Sequence, residues 1–403
     1  MSFNIWTDCP RVPITQLLEF IVDNRGKTVP TAPTGHKLIA TNCVTNNTLF
    51  PVYEKVRYLS DETYRTWFRA HPLPGDILFV NKGTPGRVCM VPDPVDFCIA
   101  QDMIALRADD SKIYNKYLFA VLRSSEIQKQ IYNTNVGDVI PHFKKQFMDQ
   151  LLIPVPEKKI QEAVGDLYYS LSYKIEYNKK INDNLYAQAR VIANQWIAES
   201  DSDYELLPLS EVAVINPDTY SPKEEWKYVN YLDTSSITDG CIAEIQRITP
   251  STEKLPSRAR RKIVSNDVVF STVRPNQRHF GIISEPLPNM LASTGFAVIR
   301  SENPLVCNEL IYLCLTDNAF IEKMQQLAEQ STSTFPSIKP SDLGVCEIPC
   351  PKDDPSSSLT ETLKAIFTLI AANHRENASL AKLRDSLLPR LMSGEIDVSD
   401  IDI

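Results

Sequence analysis

The sequence predicts an α+β protein with two similar globular domains and two long antiparallel helices that form a coiled coil. Three observations support this fold class. Motifs recur at a nearly constant offset, short β-branched runs alternate with Gly, Pro and Asn, and each half ends in a long stretch with one apolar seam. The chain has 403 residues, of which 43% are hydrophobic, so it can fill the cores of two or three ordinary domains.

The internal repeat is clearest at rare residues. Pro141 and Pro336 are 195 positions apart, and the same offset separates the Ile-Pro-x-Pro segments that begin at Ile153 and Ile348. Two further segments match at offsets of 191 and 193: Gly75–Phe79 with Asn266–Phe270, and Met103–Arg107 with Phe296–Arg300. Such small slips are typical of loop insertions, so the chain is two versions of one unit.

Each unit opens with short apolar runs whose β-branched content and Gly, Pro and Asn boundaries predict strands. These runs are Asp76–Val80, Val88–Val91, Val268–Ser271 and Phe280–Ile283. Helical periodicity follows at 116–132 in the first unit and 308–328 in the second. The Ile-Pro-x-Pro segment is too rich in proline for a helix, and we expect an extended strand or sheet edge there.

A long helix follows each globular region. Apolar residues recur at steps of three, four or seven from Ile160 to Ile197, 38 residues that would form a rod of about 57 Å. A similar seam runs from Leu359 to Leu391. Asn178 and Asn373 occupy equivalent seam positions, where a buried polar residue that faces its equivalent fixes the register of a helix pair. An amphipathic surface helix is the alternative for each stretch.

The predicted domain boundaries follow from these patterns. Residues 1–156 and 200–351 form the globular domains, 157–199 the central long helix, and 352–403 the C-terminal long helix with an acidic tail. No signal peptide or membrane-length apolar run is evident, and the nine Cys form no Cys-x-x-Cys pair, so we expect reduced thiols in a cytoplasmic protein without a metal site.

Catalytic motifs are scarce. Asp218, Glu225 and Lys227 superficially resemble a metal-dependent nuclease signature, but their segment reads as a charged loop broken by proline. No Gly-x-Gly-x-x-Gly occurs, and Arg25–Thr28 resembles only the end of a phosphate-binding loop. We therefore expect no catalytic residues and no cofactor in this chain, with a nuclease as a minor alternative.

The net charge of −8 hides a basic region. From Arg247 to Arg278 there are eight basic residues and two acids, a local balance of +6. Counterion release depends on the charges that face phosphate rather than on the total. The polar loop Thr272–His279 offers Arg for guanine and Asn or Gln for adenine, and the loop Asn81–Arg87 is its equivalent in the first unit. The alternative for both loops is a solvated hairpin.

These residues resemble a known family. The run Leu380–Ile396, the segment Gly75–Phe79, the residues Lys82-Gly-Thr84 with Gly86-Arg87, and the Ile-Pro-x-Pro segments are similar to the DNA specificity subunit of type I restriction–modification systems. The second loop departs from the family pattern, since Arg274-Pro-Asn-Gln277 stands where Gly-Thr-x-Gly is usual.

The resemblance implies two target recognition domains, each reading one half of a split, asymmetric DNA site, and helices that set the spacer. It implies as partners two methyltransferase subunits and motor-nuclease subunits, which would supply the S-adenosylmethionine, ATP and Mg chemistry. The candidate DNA-binding residues are Lys82, Thr84, Arg87, Lys144, Arg258, Arg260, Arg261, Arg274, Asn276, Gln277, Arg278 and Lys339. The main alternative is a coiled-coil scaffold with two protein-binding heads.

Overall fold

The computed structural model describes residues 3–24, 26–134, 141–199, 204–331, 335–352 and 358–396. The chain divides into two compact units: the first comprises Met1–Lys180 with Arg375–Ile403, and the second comprises Ile181–His374. Both contain strands and helices, so the α+β class and the two long helices are confirmed. The sequence predicted each long helix as a segment separate from the globular domains. In the structure, by contrast, each long helix is divided between the two units.

The described residues of the first unit form three sheets. A four-stranded antiparallel sheet has the order Leu18–Asp23, Met103–Ala108, Ile77–Val80, Val88–Met90. A three-stranded sheet has the order Arg57–Leu59, His36–Ile39, Phe97–Ile99, with the last pair parallel. Arg11–Pro13 pairs antiparallel with Leu152–Pro154, so the first Ile-Pro-x-Pro segment is extended as predicted.

The central strand of the first unit shows why the sequence pattern is so apolar. All four residues from Ile77 to Val80 are buried. Ile77 and Phe79 belong to the core shared with the helices, whereas Leu78 and Val80 belong to the core between the two larger sheets. Successive side chains of a strand point to opposite faces, so a strand covered on both faces reads as a continuous hydrophobic run.

The second unit repeats this plan. One antiparallel sheet has the order Ala213–Ile215, Phe296–Ser301, Asp267–Ser271, Phe280–Ile283. A second sheet has the order Gln246–Ile248, Val229–Leu232, Met290–Ser293, Ala259–Lys262. Tyr204–Pro208 pairs with Glu347–Pro351, and Ile237–Thr238 pairs with Cys241–Ile242. The equivalent strands follow the same order in the first sheet of both units, which confirms the internal repeat.

The helical region of each unit is divided where one helix was predicted. The helices are Asn115–Arg123 and Ser125–Asn133 in the first unit, and Asn308–Leu315 and Asn318–Glu329 in the second. Ser124 and Asp317 separate them, because each side chain caps the following helix by accepting a backbone N–H. Shorter helices are Ile5–Asp8, Asp61–Thr66, Leu209–Val212 and Pro340–Gly344, and 3-10 turns are Ile14–Leu17, Thr41–Cys43, Lys145–Gln150, Pro222–Glu224, Thr234–Ser236 and Pro275–Gln277.

The first long helix spans Lys158–Glu199 and the second spans Ser358–Met392. In the first unit the Asn178 amide donates to Asn377 Oδ1 at 2.9 Å and to Glu376 Oε2 at 2.6 Å. In the second unit the Asn373 amide donates to Asn182 Oδ1 at 2.7 Å. The prediction that Asn178 and Asn373 contact each other is therefore wrong. Their partners, Asn377 and Asn182, each lie four residues, about one helical turn, beyond the predicted partner.

The C-terminal end of the second long helix completes the core of the first unit. Leu388, Leu391 and Met392 are buried in the same cluster as Ile5, and Trp6 packs against that cluster. Gly394 ends this run with φ +75, and a Cβ there would lie 1.7 Å from the Phe3 carbonyl oxygen. Within the described ranges, no helix is long and apolar enough to span a membrane.

An Asp–Arg pair braces the main sheet of each unit. Arg107 donates two hydrogen bonds to Asp76, at 2.9 and 3.0 Å, and Arg300 does the same to Asp267, at 2.8 and 2.9 Å. Burial of the aspartates is nearly complete, and their hydrogen bonds raise the pKa of both arginines. These pairs explain why the matched segments of the repeat keep one acid and one arginine.

Candidate nucleic-acid interface

Three loops converge at one edge of the first unit: residues 81–87, 101–102 and 141–146, here called the first loop set. Asn81 N–H donates to the Asp102 carbonyl at 2.9 Å, and Phe143 N–H donates to the Asn81 carbonyl at 2.8 Å. Gly83 N–H donates to the Pro141 carbonyl at 2.9 Å. The backbone bonds therefore hold the three loops together irrespective of their exposed side chains.

The second unit contains the equivalent arrangement, residues 272–279, 294–295 and 335–339, here called the second loop set. Thr272 N–H donates to the Gly295 carbonyl at 2.8 Å, and Ile338 N–H donates to the Thr272 carbonyl at 2.9 Å. Arg274 N–H donates to the Pro336 carbonyl at 2.9 Å. Each bond has its counterpart in the first loop set, at the offsets found in the sequence.

Arg274 thus takes the place of Gly83 without losing the backbone contact. Both residues have positive φ, +47° for Arg274 and +88° for Gly83. Arg278 and Gly86 are a second such pair, at +58° and +87°. A non-glycine residue in this region costs about 1–2 kcal/mol, so the second loop set keeps the fold of the first at a local energetic cost. The departure from the Gly-Thr-x-Gly pattern changes the side chains but keeps the path of the backbone.

The first loop set surrounds a cavity of about 440 Å³. Lys82 and Lys144 line it, and Lys144 is exposed. Arg87 is exposed in the same loop set and Thr84 is half-buried. The cavity is also lined by Gly26, Asn81, Gln101, Asp102, His142, Lys145 and Gln146. Lys145 is tied to Asp23 by an ion pair, whereas Lys82 and Lys144 form none within the described ranges.

The second loop set presents a different group of side chains. The Arg274 guanidinium lies 5.1 Å from the centroid of the exposed Phe335 ring. Asn276, Gln277 and Lys339 are exposed. The backbone of Arg258 joins this loop set, because the Thr294 N–H donates to the Arg258 carbonyl at 2.8 Å. The structure therefore brings these five predicted residues to one region of the second unit.

Two predicted DNA-binding arginines, Arg278 and Arg260, are engaged within the protein, and a third, Arg261, is half-buried. Arg278 forms an ion pair with Asp239 at 2.5 Å, and its Nη1 donates to Asn318 Oδ1 at 3.0 Å. The side chain of Arg260 donates to backbone carbonyls, including that of Tyr220 at 3.4 Å. Burial lowers the pKa of Arg261, whose Nε has no hydrogen-bond partner in the described part of the chain. The +6 segment is therefore not one continuous basic face.

The residues of the nuclease-like signature do not share one site. Asp218 forms an ion pair with Arg300 at 3.0 Å. Glu225 and Lys227 line a separate cavity of about 700 Å³ beside Tyr220 and Trp226. In the part of the chain that the structure describes, no group of three or more His, Cys, Asp or Glu residues is placed to hold a metal ion. Arg25 of the phosphate-loop-like segment lies outside the described residues.

Sequence reasoning missed three polar side chains of the first loop set: Gln101, His142 and Gln146. Gln101 lies in the turn between the strands Phe97–Ile99 and Met103–Ala108. The offset of 193 aligns this turn with Thr294-Gly295, so the repeat could have identified the turn. The glutamine itself carries no such signal, because Thr294 replaces it in the second unit.

Residues 31–187 match the family described as the type I restriction modification DNA specificity domain. Over this segment the chain is similar to that family, and full-length relatives carry the similarity further along the chain. It is 22% identical over 401 residues to the type I restriction enzyme HindI specificity subunit of Haemophilus influenzae, covering 80% of this chain and 86% of that one. The MjaVIII specificity subunit of Methanocaldococcus jannaschii is 22% identical over 328 residues, 75% of each chain.

The fold has a counterpart among solved structures of specificity subunits. The crystal structure of the type I restriction–modification S subunit from M. genitalium superposes with a TM-score of 0.54 and 16% sequence identity, and 95% of each chain is covered. The whole first loop set lies inside the family match at residues 31–187. The second loop set lies outside that match and is recognised through the internal repeat.

Proposed function

We propose that this chain is the DNA specificity subunit of a type I restriction–modification complex. Its role is to select the DNA sequence, and the chemistry belongs to partner subunits. The single observation that carries this function is the loop set, which both units build with the same backbone hydrogen bonds and fill with different polar and basic side chains. A common backbone arrangement that carries different side chains suits a protein that recognises two different DNA sequences.

Each unit is proposed to read one half of a bipartite site. Equivalent positions carry different chemistry: Gly83 against Arg274, and Gln101 against Thr294. Base edges in the major groove are told apart by hydrogen-bond donors and acceptors, so different side chains at one position select different bases. The two half-sites are therefore expected to differ in sequence, and the complete site to be asymmetric.

The partners in this proposal are two methyltransferase subunits, docked on the long helices, and motor-nuclease subunits that join through the complex. S-adenosylmethionine, ATP and Mg would be bound by those subunits, and the complex would act on DNA in the cytoplasm. The name of the Haemophilus influenzae relative, a specificity subunit of a restriction enzyme, supports an assembly of this kind. The acidic total charge of −8 also favours a partner that contributes to DNA affinity.

Methylation mapping tests the proposal directly. The full chain is expressed with type I methyltransferase subunits in cells that lack adenine methylation, and methylated adenines are mapped across the genome. We expect one split, asymmetric motif that appears only when this chain is present. Methylation at scattered sites, or the same motif without this chain, would contradict the proposed function.

Binding measurements test the loop sets. Charge reversal at Lys144 or at Lys339 should lower the affinity of the assembled complex for its site. Each change should also make the slope of log binding constant against log salt concentration shallower, by about the amount expected for the loss of one phosphate contact. The exposed Lys55, outside both loop sets, supplies a control. If Lys55→Glu weakens binding as much as Lys144→Glu, the loop sets have no special role.

The spacer has its own test. Inserting about four residues, roughly one helical turn, into the stretch Leu185–Trp196 and into its partner on the second long helix should lengthen the gap between half-sites. Methylation mapping reads the gap directly. An unchanged gap with retained methylation would show that the length of the helices does not set the spacer.

A further inference from the structure

We infer that Gln101 is the residue with which the first unit reads an adenine in its half-site, an inference that rests on the proposed function. Gln101 lies in the turn that the first loop set holds against Asn81 and Lys82, whose N–H groups donate to the Asp102 carbonyl at 2.9 and 3.3 Å. Its side chain lines the 440 Å³ cavity of that loop set. The turn is thus fixed, and Gln101 belongs to the wall of a space that a ligand can fill.

The amide of Gln101 has unused hydrogen-bonding capacity. Its Oε1 is buried and has no hydrogen-bond partner among the residues that the structure describes, and the same holds for Oδ1 of Asn81, which lines the same cavity. An unsatisfied buried acceptor costs about 1–3 kcal/mol, and such groups are rare in folded proteins. Rotation of the amide towards the cavity would present this acceptor to a ligand that carries N–H groups, and a hydrogen bond to that ligand would remove the deficit.

The chemistry of the amide selects among the four bases. In the major groove adenine presents the N6 amino donor beside the N7 acceptor, which match the oxygen and the nitrogen of a glutamine amide. Guanine presents two acceptors at the same edge, and cytosine presents one donor. Adenine is therefore the base that satisfies both atoms of Gln101 at once.

The surroundings of Gln101 suit a phosphate backbone. Lys82 and Lys144 line the same cavity, and neither forms an ion pair in the portion of the chain described by the structure. Asp102 is the one acid among the residues that line it. Phosphate contacts fix the register of a protein on DNA, so two cations beside one amide can hold a base edge within its reach.

The second unit lacks this arrangement. The equivalent of Gln101 is Thr294, that of Lys82 is Val273, and that of His142 is Ser337. A threonine hydroxyl makes at most a single contact with a base and accepts several partners. The inferred adenine contact therefore belongs to the first half-site alone, and a change at Gln101 should leave the second half-site unaffected.

Two substitutions test the inference in the assembled complex. Gln101→Leu removes both hydrogen bonds, so discrimination at one adenine of the first half-site should fall by about 5- to 150-fold, the range for one bidentate contact. Gln101→Glu keeps the acceptor and loses the donor, so preference at that position should shift from adenine towards cytosine, whose N4 amino group a carboxylate accepts. Binding to duplexes that carry each single-base substitution measures both effects.

Gln150→Leu is the matched control, because Gln150 is exposed in the same unit and does not line the cavity. Thermal unfolding shows whether each variant is folded, and the second half-site reports an intact complex. If the wild-type complex recognises a split site and both Gln101 variants keep its full discrimination, or relax a base other than adenine, the inference is overturned while the proposed function stands. If the wild-type complex recognises no site, the proposed function itself fails.

Discussion

The first and second units share a frame and differ at the surface that the frame supports. Each has the same order of strands in its main antiparallel sheet, an equivalent Asp–Arg pair and the same three bonds that hold its loop set. The first loop set surrounds a cavity with polar lining and contains Gly83, whereas the second has Arg274 at the equivalent position, with its guanidinium near the Phe335 ring. The comparison shows that buried polar contacts preserve the architecture while exposed residues diverge.

A smaller anchor follows the same rule. The Asn115 side chain donates to the Gly75 carbonyl at 2.7 Å, and the Asn308 side chain donates to the Asn266 carbonyl at 2.8 Å. Gly75 and Asn266 both have positive φ, +86° and +64°. A helix in each unit thus holds the turn that precedes the central strand, and Asn replaces Gly there because it tolerates the left-handed conformation best among the non-glycine residues.

The largest effect is expected from breaking the Asp–Arg pairs. Asp76→Ala should destabilise the first unit by about 3–5 kcal/mol, because it leaves Arg107 without its bidentate partner and the Leu73 N–H without its acceptor. Asp267→Ala should cost less, since Arg300 also pairs with Asp218 at 3.0 Å. Hydrogen exchange on peptides from each unit measures the two changes separately. Equal losses would show that Asp218 does not compensate.

A smaller loss is expected at the first long helix. A Cβ at Gly165 would lie 2.6 Å from the Tyr117 backbone nitrogen, so Gly165→Ala should destabilise the first unit by about 1–3 kcal/mol despite the better helix propensity of alanine. At Gly344 of the second unit a Cβ would meet its nearest neighbour at 3.6 Å, so Gly344→Ala should be nearly neutral. Denaturant unfolding compares them, and a stable Gly165→Ala would mean that the helix Asn115–Arg123 can shift.

DNA binding should distinguish two arginines that look alike in the sequence. Arg274→Ala should make the slope of log binding constant against log salt concentration shallower, by about the amount expected for the loss of one phosphate contact. Arg278→Ala should leave this slope nearly unchanged, because Asp239 and Asn318 already hold that guanidinium. Affinity of the complex measured over a series of salt concentrations reports both. A larger effect at Arg278 would place it on the DNA and would require its ion pair with Asp239 to break.

The smallest effect concerns acid stability. Burial lowers the pKa of His71, whose ring stacks on Tyr64 at 4.2 Å. The unfolded chain therefore binds a proton more readily than the folded one, and this histidine costs stability as the pH falls below its ordinary pKa of 6.5. His71→Phe should reduce the difference in unfolding temperature between about pH 7.5 and pH 5.5. A larger difference in the variant would contradict the assigned direction.

Much of the fold was predictable because its signals are local. The strand Phe280–Ile283 has the predicted bounds, and three other predicted strands differ by one residue at an end. The two central helical regions were each predicted as one helix, because periodicity continues across Ser124 and Asp317, whose capping bonds depend on the backbone around them. Candidate site residues were less predictable, since Arg274 and Arg278 are equivalent by composition and differ only in their neighbours.

The sequence by itself determined that the chain is a repeat, that each half combines strands with a long helix, and that basic and amide residues collect in equivalent loops. Periodicity, proline positions and a constant offset are properties of the chain, so no contact was needed to detect them. Tertiary structure decided which asparagines pair in the helices, which arginines are held by acids, and that Gln101 lines a cavity. Those outcomes depend on residues distant in sequence, and proximity in space is what only the folded chain specifies.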